Sequence, residues 1–238
     1  MHTPDRKVVI VTGGSQGIGA GIVEGYRHAG WAVVTAARTI TASEDPAVLN
    51  LAVDLSDPAA ADGVVNTTLE TYGRIDTLVN NAGVYLSKPF VDYSAHDYEA
   101  VVGVNLTGFF RLTQLAISHM LERAAGHVVN ITTTLVDVAD SSAPSVLTAL
   151  TKGGLAAATR SLAVEFASRG IRVNAVSPGV IQTPVHPVES YTSLGTRLPP
   201  VGHVGQVSDI VKAVLFLESS PFVTGEILHV DGGQIAGH

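Results

Sequence analysis

The chain has 238 residues, 46% of them hydrophobic and 15% charged, with a formal charge of −7. That apolar share argues against disorder, and the length suits one α/β domain. The acidic balance, with no basic run to offset it, argues against a nucleic-acid partner, and the absence of cysteine excludes disulfide and thiolate chemistry.

The first residues, Met1 to Lys7, hold no signal-type apolar core, and no stretch reaches the ~18 apolar residues of a membrane span. A cytoplasmic protein with no membrane partner is the expectation. Residues 8–11 form a short apolar strand that runs into Thr12-Gly13-Gly14-Ser15-Gln16-Gly17-Ile18-Gly19, then into a helical segment over 19–28. Glycine permits a tight strand-to-helix turn and a close backbone approach to phosphate. The N–H groups of the helix start then face an anion.

Further apolar runs follow at 32–36, 49–53, 77–79, 127–131, 172–176 and 226–230. They are mostly β-branched and lack strict alternation, as expected of strands buried on both faces of a parallel sheet. Between them, 59–72, 97–122 and 151–168 are long enough for crossover helices, the first opened by Ser56 or Asp57 as cap and by Pro58. The pattern predicts a single Rossmann-like, doubly wound domain over 1–238. It has about seven parallel strands, helices on both faces and ligands at the strands' carboxyl ends. Residues 184–200, rich in proline and poor in apolar residues, read as a loop or lid over the substrate.

Six motifs occur in order: Thr12-Gly13-x-x-x-Gly17-x-Gly19, Asn80-Asn81-Ala82-Gly83, Val104-Asn105, Asn130-Ile131-Thr132-Thr133, Asn174 to Gly179, and Thr224-Gly225 to Val230-Asp231-Gly232-Gly233. Together they resemble the short-chain dehydrogenase/reductase family. The resemblance implies a nicotinamide dinucleotide bound by Gly13, Ser15, Gln16, Gly17, Ile18 and Gly19 on the phosphate side. Asp54 and Leu55 would hold the adenine, and Asn81, Ala82 and Gly83 the adenosine ribose. Pro178, Gly179, Ile181 and Thr183 would pack on the nicotinamide, and Lys152 would bond its ribose. It also implies a homotetramer, with a dimer second, built on the helices over 97–122 and 151–168.

Cofactor choice follows from charge. An acid about 20 residues after the glycine loop would bond a ribose 2′-hydroxyl. Here the second strand ends Ala36-Ala37-Arg38-Thr39, with alanine at the acid position and a guanidinium beside it. A 2′-phosphate needs a cation with several donors, so NADP(H) is expected over NAD(H).

The family reduces carbonyls with a tyrosine four residues before the lysine, a serine that holds the carbonyl, and an asparagine that orders a relay water. Asn105 and Lys152 match, but Thr148 stands where the tyrosine would be. An aliphatic hydroxyl is closer to water (~15.7) than to a phenol (~10), a gap of about 7–8 kcal/mol. A simple exchange of Thr for Tyr in the mechanism is therefore rejected. The serine position falls on Leu135 when counted back from Thr148, and on Thr133 when aligned on Asn130-Ile131. Tyr85, His186, Tyr191, Asp137 and Asp140 are weighed as replacement acids, while Tyr93 and Tyr98 read as packing. The histidine spacing supports no metal site. The expectation is an oxidoreductase acting on a small electrophilic molecule. A nucleotide-binding sensor or subunit, and a non-redox lyase or isomerase, are its alternatives.

Overall fold

The structure is a computed structural model and describes residues 6–184 and 199–237. Among them, seven strands run parallel in one sheet: β1 (Val8–Thr12), β2 (Ala32–Ala37), β3 (Val48–Ala52), β4 (Thr77–Asn80), β5 (Gly126–Ile131), β6 (Ile171–Pro178) and β7 (Ile227–Val230). Their spatial order is β3-β2-β1-β4-β5-β6-β7. Successive side chains on a strand point to opposite faces. Val8 and Ile10 accordingly join one core layer, under α2 (Pro58–Tyr72), α4 (Phe109–Glu122) and α5 (Val146–Phe166). Val9 and Val11 join the other, under α1 (Gly17–His28) and α6 (Val207–Ser219). Burial on both faces explains the unbroken apolar runs.

The strand order reverses between β1, which pairs with β2 on one side, and β4 on the other. That reversal opens a crevice at the carboxyl ends, where ligands bind in sheets of this kind.

Of three helical expectations, the first holds and two change in detail. The helix over 59–72 starts at Pro58, and Asp57 is its cap, accepting from the Ala59 amide at 2.9 Å. The helix expected over 97–122 starts earlier, as α3 (Ala95–Val102), because Ser94 and Asp97 form a reciprocal capping box. It is then interrupted by a π turn over Gly103–Gly108 before α4. Gly108 lies against the strand-end loop there: a Cβ on it would come within 2.5 Å of the Leu55 carbonyl oxygen. The run Ala95–Glu122 has the length and hydropathy of a membrane span. Its inner face, however, with Leu112, Ala116 and Met120, is sheet core. The helix expected over 151–168 begins at Val146, so Thr148 and Lys152 share α5 one turn apart. The lid expected over 184–200 lies mostly outside the described residues.

At the amino end of the sheet a buried polar network ties strands to helices. The Glu218 carboxylate accepts from Tyr26 Oη (3.0 Å), Thr77 Oγ1 (2.9 Å) and His127 Nδ1 (2.9 Å). Asn174 Nδ2 lies 3.1 Å from His127 Nε2, and Arg172 donates to the carbonyls of Leu217, Glu218 and Val223. Burial raises the Glu218 pKa, but the bonds from His127, Thr77 and Tyr26 outweigh it and hold the carboxyl below its ordinary range. Burial likewise holds the His127 imidazole below its usual value, against the pull of Glu218. A neutral His127 that donates from Nδ1 and accepts at Nε2 fits every contact.

Candidate functional site

The crevice begins with the loop between β1 and α1. Gly17 has φ +55, a region that side chains disfavour, and a Cβ on Gly19 would fall on the Gly13 carbonyl oxygen. The loop is braced from β4: Thr12 Oγ1 accepts the amides of Asn81 (3.0 Å) and Ala82 (2.9 Å), while Asn81 Nδ2 donates to the Thr12 carbonyl (2.9 Å). At the start of α1 the cap residue Gln16 makes no side-chain capping bond, and the first turn carries no acid. Its amide N–H groups and dipole are therefore left for an anion.

This loop walls a cavity of about 510 Å³ at the carboxyl ends of β1, β2 and β4. Of the residues expected to hold a dinucleotide, Gly13, Ser15, Gln16, Gly17, Ile18, Gly19, Arg38, Asp54, Leu55, Asn81, Ala82, Gly83 and Thr183 all line it. Arg38 is exposed at the rim beside the buried Ala37. The Asp54 carboxylate folds onto Ser56, accepting from its amide (2.9 Å) and hydroxyl (2.8 Å), and these bonds hold its pKa below the usual value.

A second cavity, of about 300 Å³, continues from the first, and Ile18, Asn81, Gly83, Val84 and Thr183 belong to both. Pro178, Gly179 and Ile181, expected against the nicotinamide, form one wall. Thr133, Thr148 and Lys152 form another, and Tyr85, Asp140 and Gln234 also border it.

α5 is fixed to the sheet by a ladder of side chains. Asn80 Nδ2 donates to Thr113 Oγ1 on α4 and to Asn130 Oδ1, both at 2.9 Å, and Asn130 Nδ2 donates to Thr159 Oγ1 on α5 at 2.8 Å. Lys152 is thereby carried to the end of β5, where its Nζ donates to the Ile131 carbonyl at 2.7 Å. A Cβ on Gly83 would stand 3.1 Å from that Nζ, a tight contact that would push the ammonium by a few tenths of an ångström. No carboxylate forms an ion pair with Lys152 among the described residues. Burial lowers its pKa from 10.5 to about 8.

Asn105 sits in the π turn, fully buried and outside both cavity walls. Its Nδ2 donates to the Val84 carbonyl (3.1 Å) and Thr151 Oγ1 (3.0 Å), and its Oδ1 accepts from the Val84 amide (2.7 Å). Both amide donors are spent on protein, so the side chain positions the 84 loop against α5. Thr133 faces the cavity; its oxygen accepts from the Leu135 amide at 3.3 Å, which leaves the hydroxyl proton to donate. Thr148 is buried, and its Oγ1 has no hydrogen-bond partner among the described residues. Asp137 is turned away to His229 at 3.3 Å, and His186 and Tyr191 lie outside the described residues. The ladder, the π turn and Gln234 were not singled out in the sequence.

A family model described as enoyl-(acyl carrier protein) reductase matches residues 13–234. The chain is similar to L-fucose dehydrogenase from Bos taurus, 35% identical and covering 98% of this chain and 90% of the relative. Among solved structures it is similar to ElxO with NADP bound, with TM-score 0.90, 28% identity and coverage of 97% and 99%. It is also similar to 3-ketoacyl-(acyl-carrier-protein) reductase from Brucella melitensis complexed with NADH, with TM-score 0.88, 29% identity and coverage of 98% and 100%.

Proposed function

The chain belongs to the short-chain dehydrogenase/reductase family, and from that premise we propose that it is an NADP(H)-dependent oxidoreductase acting on the carbonyl or alcohol of a small molecule. The observation that carries this reading is the continuity of the two cavities across the β1–β4 reversal. They form one groove, with an anion cradle at one end and a lysine at the other. ElxO and the Brucella reductase hold NADP and NADH, so a nicotinamide dinucleotide is the natural occupant, and the glycine cradle fits its pyrophosphate.

In this reading the amides at the start of α1 bind the pyrophosphate, and Asp54 and Leu55 flank the adenine. Arg38 pairs with a ribose 2′-phosphate, which the absence of an acid at Ala37 permits. Bound there, the reduced nicotinamide supplies a hydride. Pro178, Gly179, Ile181 and Thr183 shield its ring face, and Lys152 bonds its ribose. Thr133 donates to the substrate oxygen, and Asn105 keeps the 84 loop and α5 in register. Thr148 takes the place of the family's tyrosine, so the active site lacks a phenol at that position.

Cytoplasmic residence and a homotetramer complete the proposal. An apolar hollow on α4 and α5, with Leu106, Phe109, Phe110, Gly154 and Ala158, supports pairing with a second copy. Light scattering tests this, and a monomer rejects it.

The functional test is direct. Fluorescence titration is expected to give at least tenfold tighter binding of NADPH than of NADH, and tighter NADH binding overturns the preference. Loss of the nicotinamide absorbance is expected with at least one member of a ketone and aldehyde panel. Tight NADPH binding with no absorbance change across that panel assigns the groove to nucleotide binding without redox turnover.

A further inference from the structure

The oxidoreductase reading leaves the reaction without a proton source, and the wall of the smaller cavity supplies one. Two polar groups there are buried and incompletely satisfied. Lys152 brings an ammonium with three donors to the cavity, and its one bond among the described residues is to the Ile131 carbonyl. Thr148, one turn earlier on α5, presents a hydroxyl that is buried, borders the same cavity and has no partner among the described residues. An unsatisfied buried hydroxyl is costly unless a ligand completes it. Together the two groups describe a receptor for one oxygen atom.

Resting on the oxidoreductase reading, we infer that Lys152 is itself the acid that protonates the substrate oxygen, while Thr148 Oγ1 holds that oxygen beside it. In the reducing direction the carbonyl carbon takes a hydride from the reduced nicotinamide, and the C=O π pair moves to oxygen. That oxygen takes a proton from the Lys152 Nζ–H bond. The products are the alcohol, the oxidised nicotinamide and a neutral amine, which regains a proton from solvent. In the oxidising direction the neutral amine is the base.

Burial at the end of β5, with no carboxylate to hold the charge, brings the Lys152 pKa down to about 8, close to neutral working pH, where a general acid or base is most effective. A lysine paired with an acid would stay protonated and be a poor donor. Threonine in place of a phenol also leaves open space between the ammonium and the substrate. Among the described residues, the other titratable groups bordering the cavity are Tyr85, after β4, and Asp140, on the loop after β5; β6, opposite, presents none. Asp140 Oδ1 accepts from the Ser142 amide (2.8 Å) and hydroxyl (2.6 Å).

The first test is independent of turnover. In the NADPH complex, ¹⁵N-lysine NMR of the full chain, assigned with Lys152→Met, is expected to show Lys152 titrating near pH 8. A midpoint above pH 10 overturns the inference whatever the activity. The second test uses ethyl acetoacetate as substrate. Wild-type reduction is expected to fall as pH rises through about 8. Lys152→Ala and the space-filling Lys152→Met are expected to lose about 100- to 10,000-fold in turnover, with the NADPH dissociation constant changed less than tenfold. Primary alkylammonium ions added to the alanine variant should restore rate in proportion to their acidity.

If the variants lose NADPH binding and alkylammonium restores nothing, Lys152 is a ribose ligand alone. The inference then falls while the oxidoreductase reading stands. If the wild-type protein binds NADPH but reduces no carbonyl, both fall.

Discussion

The two ends of the sheet handle buried polarity in opposite ways. At the amino end, one carboxylate collects three donors, and Tyr26, Thr77, His127, Arg172 and Asn174 all find partners. At the carboxyl end lie all the buried side-chain oxygens without a partner among the described residues: those of Thr35, Asn80, Thr148 and Ser177. Lys152, with no ion pair among the described residues, is there too. A fold tolerates unsatisfied polar groups where a ligand completes them, and closes its networks where nothing arrives. Of those four, only Thr148 borders either cavity of the groove, so it is the one that a ligand can complete.

The largest expected effect is at the structural end. Glu218→Ala strands three buried donors, each worth about 1–3 kcal/mol, and should cost about 3–5 kcal/mol of stability by urea denaturation. The affinity for NADPH should remain within twofold. A loss below about 1 kcal/mol, the worth of one ordinary hydrogen bond, would mean the network contributes little. The same end sets the acid limit. The folded His127 has a pKa below its ordinary 6.5, so as pH falls the unfolded chain takes the proton first. Stability is therefore lost as pH drops from 6.5 towards the folded value. Glu218, held below its ordinary 4.5, withdraws further stability as pH drops through its own folded value.

At the functional end the signs reverse. Lys152→Met should stabilise the apo protein at pH 7 by up to about 3 kcal/mol, because a buried ammonium whose pKa has dropped about 2.5 units opposes folding. Below about pH 8 both states hold the proton and the full penalty applies. Between about 8 and 10.5 only the unfolded chain holds it, so the wild type gains on the variant as pH rises. Equal stability of the two proteins across that range would show that the ammonium is not penalised. Next in size, Arg38→Ala should weaken NADPH binding about 10- to 100-fold, the worth of a charged hydrogen bond of about 1.5–3 kcal/mol, and leave NADH binding unchanged. Equal weakening of both cofactors would move Arg38 off the 2′-phosphate.

The functional end was the more legible of the two in the sequence. A glycine at Gly17 or Gly19 is demanded by local backbone geometry, so the cradle is written in consecutive residues. The strands were equally plain, because burial on both faces leaves unbroken β-branched runs. The Asn80–Thr113–Asn130–Thr159 ladder joins residues 29 to 50 positions apart, and its threonines pass for strand and helix filler. Glu218 looks like an ordinary helix-end acid until β4, β5 and α1 converge on it. The early start of α5 was hidden because Ser145 makes no side-chain cap bond. The π turn around Asn105 has no local signature, and only the packing of Gly108 against Leu55 reveals it.

The smallest expected effect tests the comparison most closely, because one substitution can be made at two threonines of the same helix. Thr159 Oγ1 accepts from Asn130 (2.8 Å) and donates to the Leu155 carbonyl (2.8 Å), whereas Thr148 Oγ1 has no partner among the described residues. Exchanging hydroxyl for methyl at Thr159 strands the Asn130 amide and should cost about 1–2 kcal/mol. The same exchange at Thr148 removes an unsatisfied group and should gain about 1 kcal/mol. Thr148→Val should also raise KM for the ketone and lower kcat, with NADPH affinity unchanged, while Thr148→Ser retains activity. Thermal denaturation of the two valine variants decides the matter. If both lose stability, the Thr148 hydroxyl already has a partner in the free protein, and the difference between the two ends of the sheet fails at the position where the chemistry depends on it.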